Sequence, residues 1–336
     1  LLEISEFHLS DYGSAAANGG YEPLVDRVQE ATRVCAALVS TLAYWGNTTT
    51  DAWWAEELVR FARAARGSGE VRLLALRQIA GCVLLYSAGI SAAANDRFDL
   101  LARILSLRSQ GIYDDEMLPV SRTLAADAQY PGLDSPLEKL KSVVDPILRE
   151  SMAIGPEGLE SAWQEFELLR LGSLVCADKR FVKPASTVDR LQPIIAGLER
   201  ESSDPELDDE KRTQVSSDLA KAKQSEQEAI DLVAALAHVG RPHLLMLDRG
   251  PDSKWQNPIA TQLIQDLMIE GDQHPMIVAA PAFKHMATAL RGLQDAASDL
   301  ANEMQWNLLP AGGAGFLPDD IWLDTGKSSG SADPYQ

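Results

Sequence analysis

The sequence predicts an all-α protein, a multi-helix array of antiparallel helical hairpins that would suit a solenoid-like stack. Three observations carry this reading. The stretch Val71 to Leu107 is an apolar helix, a short polar break and a second helix that folds back on the first. From Ile79 to Ala94 no residue is charged, and Ile79, Val83, Leu84, Leu85 and Ile90 fall all round the helical wheel, the mark of a helix enclosed by others. Beyond Asn95-Asp96-Arg97, residues Leu100, Leu101, Ile104 and Leu105 keep to one face. Secondly, helical periodicity recurs along the chain with connections short enough for antiparallel neighbours. Thirdly, 46% hydrophobic and 24% charged residues are ordinary for a folded globular chain.

Taken in order, residues 1–20 end in AAANGG and read as a flexible N-terminal segment. Tyr21 to Trp45 is a long amphipathic helix whose apolar series is Leu24, Val25, Val28, Ala31, Val34, Cys35, Leu38, Val39 and Leu42, with Pro23 in its first turn and Gly46-Asn47 as its stop. Thr50 or Asp51 is the expected cap of a second helix, with Trp54, Leu58, Phe61, Ala62 and Ala65 as its stripe and Gly67-Ser68-Gly69 as its end. The central pair follows. Residues 108–136 read as a loop-rich face with one short helix around Val120 to Gln129. Two helices come next, Leu137 to Met152, which Pro146 should kink or shorten, and Glu157 to Asp178, with Trp163, Phe166, Leu169, Leu174 and Val175.

Beyond Pro184 the composition shifts. A short helix spans Leu191 to Leu198, an acidic bridge covers 200–212, and Asp204-Pro205 opens a long exposed helix with Leu219, Ala222, Ile230, Val233 and Leu236. Residues 243–247 allow at most a short strand. Helices at Asn257 to Glu270 and Pro281 to Trp306 follow, and GKSSGSADPYQ is a tail. The expected organisation is a flexible segment 1–20, a helical domain 21–183, a second helical domain 184–325 and a flexible tail 326–336.

Thirty basic against forty-nine acidic residues give a net charge of -19, which opposes binding to a phosphate backbone and makes nucleic acid an unsuitable direct partner. Cys35, Cys82 and Cys176 lie far apart in apolar helical contexts, so no disulfide framework is expected and a cytoplasmic setting fits. No Cys or His cluster has zinc-ligand spacing. The uncharged run Ile79 to Ala94 is shorter than a bilayer span, so it reads as a core helix, and no membrane partner or signal peptide is expected.

Several motifs resemble chemistry and fail on context. AGIS at Ala88 to Ser91, followed by Asp96, is similar to a nucleotide-binding loop, but that loop needs a glycine-rich turn after a strand, and here the approach is helical with Gly89 as its one glycine. Gly326-Lys327-Ser328 lacks the glycine five residues earlier, where Ile321 stands, and Leu244 to Asp248 has no phosphate loop to serve. Gly312-Gly313-Ala314-Gly315 lacks the spacing of a dinucleotide site. His8, His238, His243, His274 and His285 form no ligand pair on a shared helix face. No serine or cysteine nucleophile can be matched with a nearby histidine. The residues therefore assign no catalytic, cofactor-binding or metal-binding position, and no cofactor. Tyr44, Trp45, Trp53 and Trp54 cluster at one helix junction; Trp53 and Trp54 point about 100° apart on a helix, so one can be buried while the other faces a partner.

The segments YEPLVDRVQEAT, the YWG-to-AWW junction, LLYSAGISAAANDRFDLLARIL and WQEFELLRLGSLVCAD span about residues 21–180. There the chain resembles the all-helical C-terminal region of large bacterial, especially actinobacterial, antiphage-defence-type proteins, whose effector domain is often sirtuin-like or nucleotide-binding. It departs in having Gln78-Ile79 where Tyr-Pro is common, in its second half, and in lacking a recognisable effector domain. The resemblance implies a sensor, scaffold or oligomerisation region. The expected function is thus a non-catalytic helical interaction, sensor or scaffold module, regulatory in a bacterial defence-type system, with a protein partner or effector domain and compatible with a homo-oligomer. The competing class is a metal-dependent hydrolase whose dispersed carboxylates would be Asp114, Asp115, Glu116, Asp319, Asp320 and Asp324.

Overall fold

The computed structural model describes residues 22–63, 71–111, 117–130, 136–204, 207–237, 248–249 and 255–308. The fold is all-α. In chain order the elements are α1 (Glu22–Trp45), α2 (Thr48–Trp54), α3 (Glu57–Ala62), α4 (Val71–Ala93), α5 (Phe98–Ser106), β1 (Arg108–Gln110), β2 (Met117–Pro119), α6 (Val120–Thr123) and α7 (Ala126–Gln129). Then come α8 (Pro136–Met152), α9 (Pro156–Ala177), α10 (Val182–Ser202), α11 (Asp209–Ala237), β3 (Asp248–Arg249), β4 (Trp255–Gln256), α12 (Pro258–Glu270), α13 (Pro275–Ala279) and α14 (Met286–Leu308), with single 3₁₀ turns at Gly271–Gln273 and Pro281–Phe283. The described chain forms two units, one running to Arg170 and including Pro275–Pro281, the other comprising Leu171–His274 and the residues from Ala282 onward.

In the first unit α4 is the centre, buried at every position from Ile79 to Ala93. Helix α1 lies along it and turns inward Thr32, Ala36, Ser40 and Ala43, small side chains that let two helix backbones approach closely. The hydroxyls of Thr32 and Ser40 bond back to the carbonyls of Val28 (2.7 Å) and Ala36 (2.8 Å), so their burial leaves no donor unmet. Tyr86 packs between Trp163 and Phe166 of α9, with ring centroids 5.5 and 5.3 Å away. Gly89 lies directly beneath the Phe166 ring, where a Cβ would overlap it. A buried ion pair closes this region: Arg170 Nη2 meets Glu167 Oε2 at 2.7 Å, and Arg170 Nη1 donates to the Ser121 carbonyl at 3.2 Å. Helix α4 is long and apolar enough over Leu76–Ala93 to cross a membrane by composition, but that segment is spent on this core.

The second unit is built on α10 and α11, which fold back on each other, and on α14, which packs against α11 and α12. Gly292 allows close contact, since a Cβ there would overlap Val233 of α11. Asn257 caps α12 by accepting from the Ala260 N–H at 2.8 Å.

Several local expectations are corrected. Helix α2 starts at Thr48 with Asn47 as its cap, and the chain breaks again at Ala55-Glu56. Thr50 and Asp51 are thus inside α2. Pro146 does not shorten α8, and α10, with Pro193 inside it as expected, extends well beyond 191–198. Both prolines are exposed, so each carbonyl that loses its partner can face water and the helix can bow around the ring. The antiparallel pair of β1 (Arg108–Gln110) and β2 (Met117–Pro119) stands where only loop and helix were expected; three residues a side are too few for alternation to show in the sequence. The stretch 243–247 lies outside the described residues, and Asp248–Arg249 beside it pairs with Trp255–Gln256. The last helix begins at Met286, preceded by the 3₁₀ turn.

Candidate interaction surface

Helix α1 and the corner that joins it to α2, in the first unit, carry four of the large apolar side chains exposed among the described residues. Helix α1 keeps its core face at Leu24, Val25, Val28, Ala36, Val39 and Ala43. Its expected apolar series does not lie on one face: Ala31, Val34 and Leu38 point away from the core. Val34 is 79% exposed, Leu38 57% and Trp45 68%. Around the turn Trp53 is 71% exposed while its neighbour Trp54 is 5% exposed, the divergence that adjacent positions on a helix impose.

The corner is held rigidly. Gly46 donates its N–H to the Leu42 carbonyl at 2.9 Å, and a Cβ at Gly46 would overlap that carbonyl oxygen, so glycine is required. Asn47 Oδ1 accepts from the N–H groups of Thr49 (3.0 Å) and Thr50 (3.2 Å), and Thr50 Oγ1 accepts from the Asn47 N–H at 2.9 Å, a reciprocal capping box. From behind, the break between α4 and α5 supplies the remaining bonds. Asp96 turns the chain with φ 50, a left-handed value that aspartate tolerates. Asn95 Nδ2 then donates to the Tyr44 carbonyl at 2.8 Å. Arg97 Nη1 reaches the carbonyls of Leu42 (3.2 Å) and Ala43 (2.8 Å), and Arg97 also pairs with the buried Asp51. A guanidinium thus covers the negative end of α1. Burial pushes the Asp51 carboxyl above its ordinary range, with the hydrogen bond and charge of Arg97 opposing. Tyr44 meets Trp45 edge-on at 4.7 Å. Exposed aromatic rings on a fixed backbone lose little entropy when a partner covers them, which suits them to recognition.

Two polar clusters, one buried and one with a part-exposed carboxylate, are structural in character. Glu167 and Arg170 neutralise each other inside the first unit, and burial drives the adjacent Tyr86 phenol well above its ordinary range, so it stays protonated. In the second unit Asp189 accepts from Thr288 Oγ1 at 2.8 Å and meets His285 Nδ1 at 2.5 Å, placing a carboxylate at the N-terminal end of α14. Phe181 packs edge-on against His285 at 6.3 Å. Cys176 keeps some contact with solvent, yet the packing around its sulfur, and then the Asp189 charge, push the thiol up, so it is no thiolate nucleophile at neutral pH.

Gly89 sits inside a packed helix and meets no nucleotide turn. His274 and His285 are buried in the second unit, whereas His8, His238 and His243 lie outside the described residues. So do Asp114, Asp115, Glu116, Asp319, Asp320 and Asp324, together with the glycine-rich stretch 312–315 and Gly326-Lys327. Among the described residues no group of three or more His, Cys, Asp or Glu side chains could hold a metal ion. Of the residues that fix the corner, Asn47 carried a legible signal, a cap residue with Thr three positions on; Arg97 and Asn95 act across some fifty residues and carried none. No family model, curated protein or solved structure matches the chain.

Proposed function

We propose that this chain is a non-catalytic helical interaction module, a sensor or scaffold that binds a protein partner or effector domain and serves a regulatory role in a bacterial defence-type system. One observation carries the reading: Trp45 and Trp53 stand exposed on a corner whose backbone is fixed by Gly46, Asn47, Asn95 and Arg97, and Val34 and Leu38 stand exposed along the α1 helix that leads into it. Large apolar side chains concentrated on an otherwise acidic surface are the usual mark of a protein contact. The net charge of -19 favours a partner that is neutral or basic at its contact and disfavours nucleic acid.

The test is affinity capture with the 336-residue chain as bait in bacterial lysate with and without phage infection. The expected result is a defined protein recovered by the unaltered chain and lost with a Trp45→Ala/Trp53→Ala bait that keeps its helical circular dichroism. Equal recovery by both baits would sink the assignment of function to this corner.

A further inference from the structure

The outward face of α1 is more ordered than a scatter of apolar side chains. Arg27, Ala31, Val34, Leu38, Thr41 and Trp45 are all exposed and follow one another at intervals of four, three, four, three and four residues. That is the spacing of a coiled-coil seam, whose period of 3.5 keeps one line of side chains facing a second helix. The seam runs for about 27 Å at 1.5 Å per residue. The core-facing positions Val28, Thr32, Ala36, Val39 and Ala43 are on the opposite side, so nothing in the first unit's own core competes for it.

The seam is complementary to itself when reversed. We propose that its occupant is a second copy of this chain, with α1 packed antiparallel on the partner's α1 about a two-fold axis between Val34 and Leu38. This rests on the interaction-module reading and names its partner. Each layer of that pairing is chemically matched. Val34 meets the partner's Leu38, and Ala31 meets the partner's Thr41, small against small. Arg27 meets the partner's Trp45, a guanidinium over an indole face. On one flank Glu30 faces the partner's Tyr44, so no like charges oppose each other; on the other, Cys35 is brought beside the partner's Cys35. The antiparallel sense is selected by the ends: a parallel pairing would set Arg27 against Arg27. Arg33, on the rim of the helix, is engaged by Glu150 at 3.6 Å and lies off the seam. Three large apolar side chains, Val34, Leu38 and Trp45, and Arg27 offer less than the ~800 Å² per partner of a standard stable complex, so the dimer is weak, with a dissociation constant on the order of micromolar.

The 336-residue chain is tested by sedimentation velocity from about 1 to 200 µM, a range set to bracket that affinity. The weight-average mass should rise towards that of a dimer. Leu38→Glu, a change at an exposed position, sets two carboxylates against apolar side chains across the axis and should weaken association by about tenfold or more while leaving the circular dichroism unchanged. Mild oxidation should give a disulfide-linked dimer in the unaltered chain, little in Leu38→Glu and none in Cys35→Ser. A chain that stays monomeric throughout overturns the self-pairing. The interaction-module reading fails separately, in the capture experiment. A dimer that survives Leu38→Glu and forms no Cys35 cross-link also overturns it, since another surface then joins the copies.

Discussion

Helices α4 and α11 are the two extremes of this molecule. Helix α4 has 23 residues and is enclosed on all sides from Ile79 onward, whereas α11 has 29 residues and buries only Val215, Ala229, Val233 and Ala234 among its described side chains. The first is held by tertiary packing. The second leans on its own surface, with Gln214–Asp218, Gln224–Glu228 and Gln227–Asp231 bonded one turn apart at 2.8, 3.0 and 2.7 Å. The contrast teaches where this chain tolerates change: around α4 each added or removed atom meets a fixed neighbour, while along α11 most substitutions meet water.

The sharpest way to test that contrast is Glu167→Ala, which leaves Arg170 buried beside α4 without its partner and should cost about 3–5 kcal/mol of stability, read as a lowered urea midpoint. Replacing both residues together, with Glu167→Leu and Arg170→Met, should recover most of that loss. Next, Gly89→Ala drives a methyl into the Phe166 ring and should cost about 1–3 kcal/mol on the same measurement. An unchanged midpoint would mean that α4 is less closely packed than its burial indicates.

A smaller effect separates the two units by pH. Burial holds the His274 imidazole below its ordinary range, against the pull of Glu270 and Asp266, so the folded protein binds that proton less readily than the unfolded chain. The contribution is therefore complete above the unfolded value near pH 6.5 and is lost as the pH falls through it. Protection factors of the α12 amides, with the intrinsic pH dependence of exchange divided out, should fall between pH 7.5 and 5.5, and His274→Gln should flatten that response. The least effect belongs to α11: Lys223→Ala breaks a half-exposed pair with Glu199 at 2.7 Å and should change stability by less than about 1 kcal/mol.

How much of this was legible depends on the range of the interaction. The enclosed character of α4 follows from its lack of charge over Ile79 to Ala94, and the amphipathic run of α5 from Leu100, Leu101, Ile104 and Leu105; both are local. At Pro146 the sequence left a kink or a shortened helix open, and exposure, which a local rule ignores, decides against shortening because a helix facing water can bend around the ring. Helix α1 misled. Its apolar residues were numerous enough to suggest one broad stripe, yet its core face recruits Gln29, Thr32 and Ser40, polar residues satisfied by neighbours, and leaves Val34 and Leu38 outside. Sequence spacing could reveal the seam only after the core face was known. The corner was half legible: the divergence of Trp53 and Trp54 follows from helix geometry alone, but the clamp behind it does not.

That clamp also fixes a moment in the life of the chain. Arg97 bonds to carbonyls at Leu42 and Ala43 and to Asp51, forty-six to fifty-five residues earlier. During synthesis, α1 and α2 leave the ribosome well before the residue that locks their junction. The tryptophan surface therefore acquires its final shape only when the α4–α5 turn has docked, and a nascent chain arrested before Arg97 has emerged carries the rings without the fixed corner that presents them.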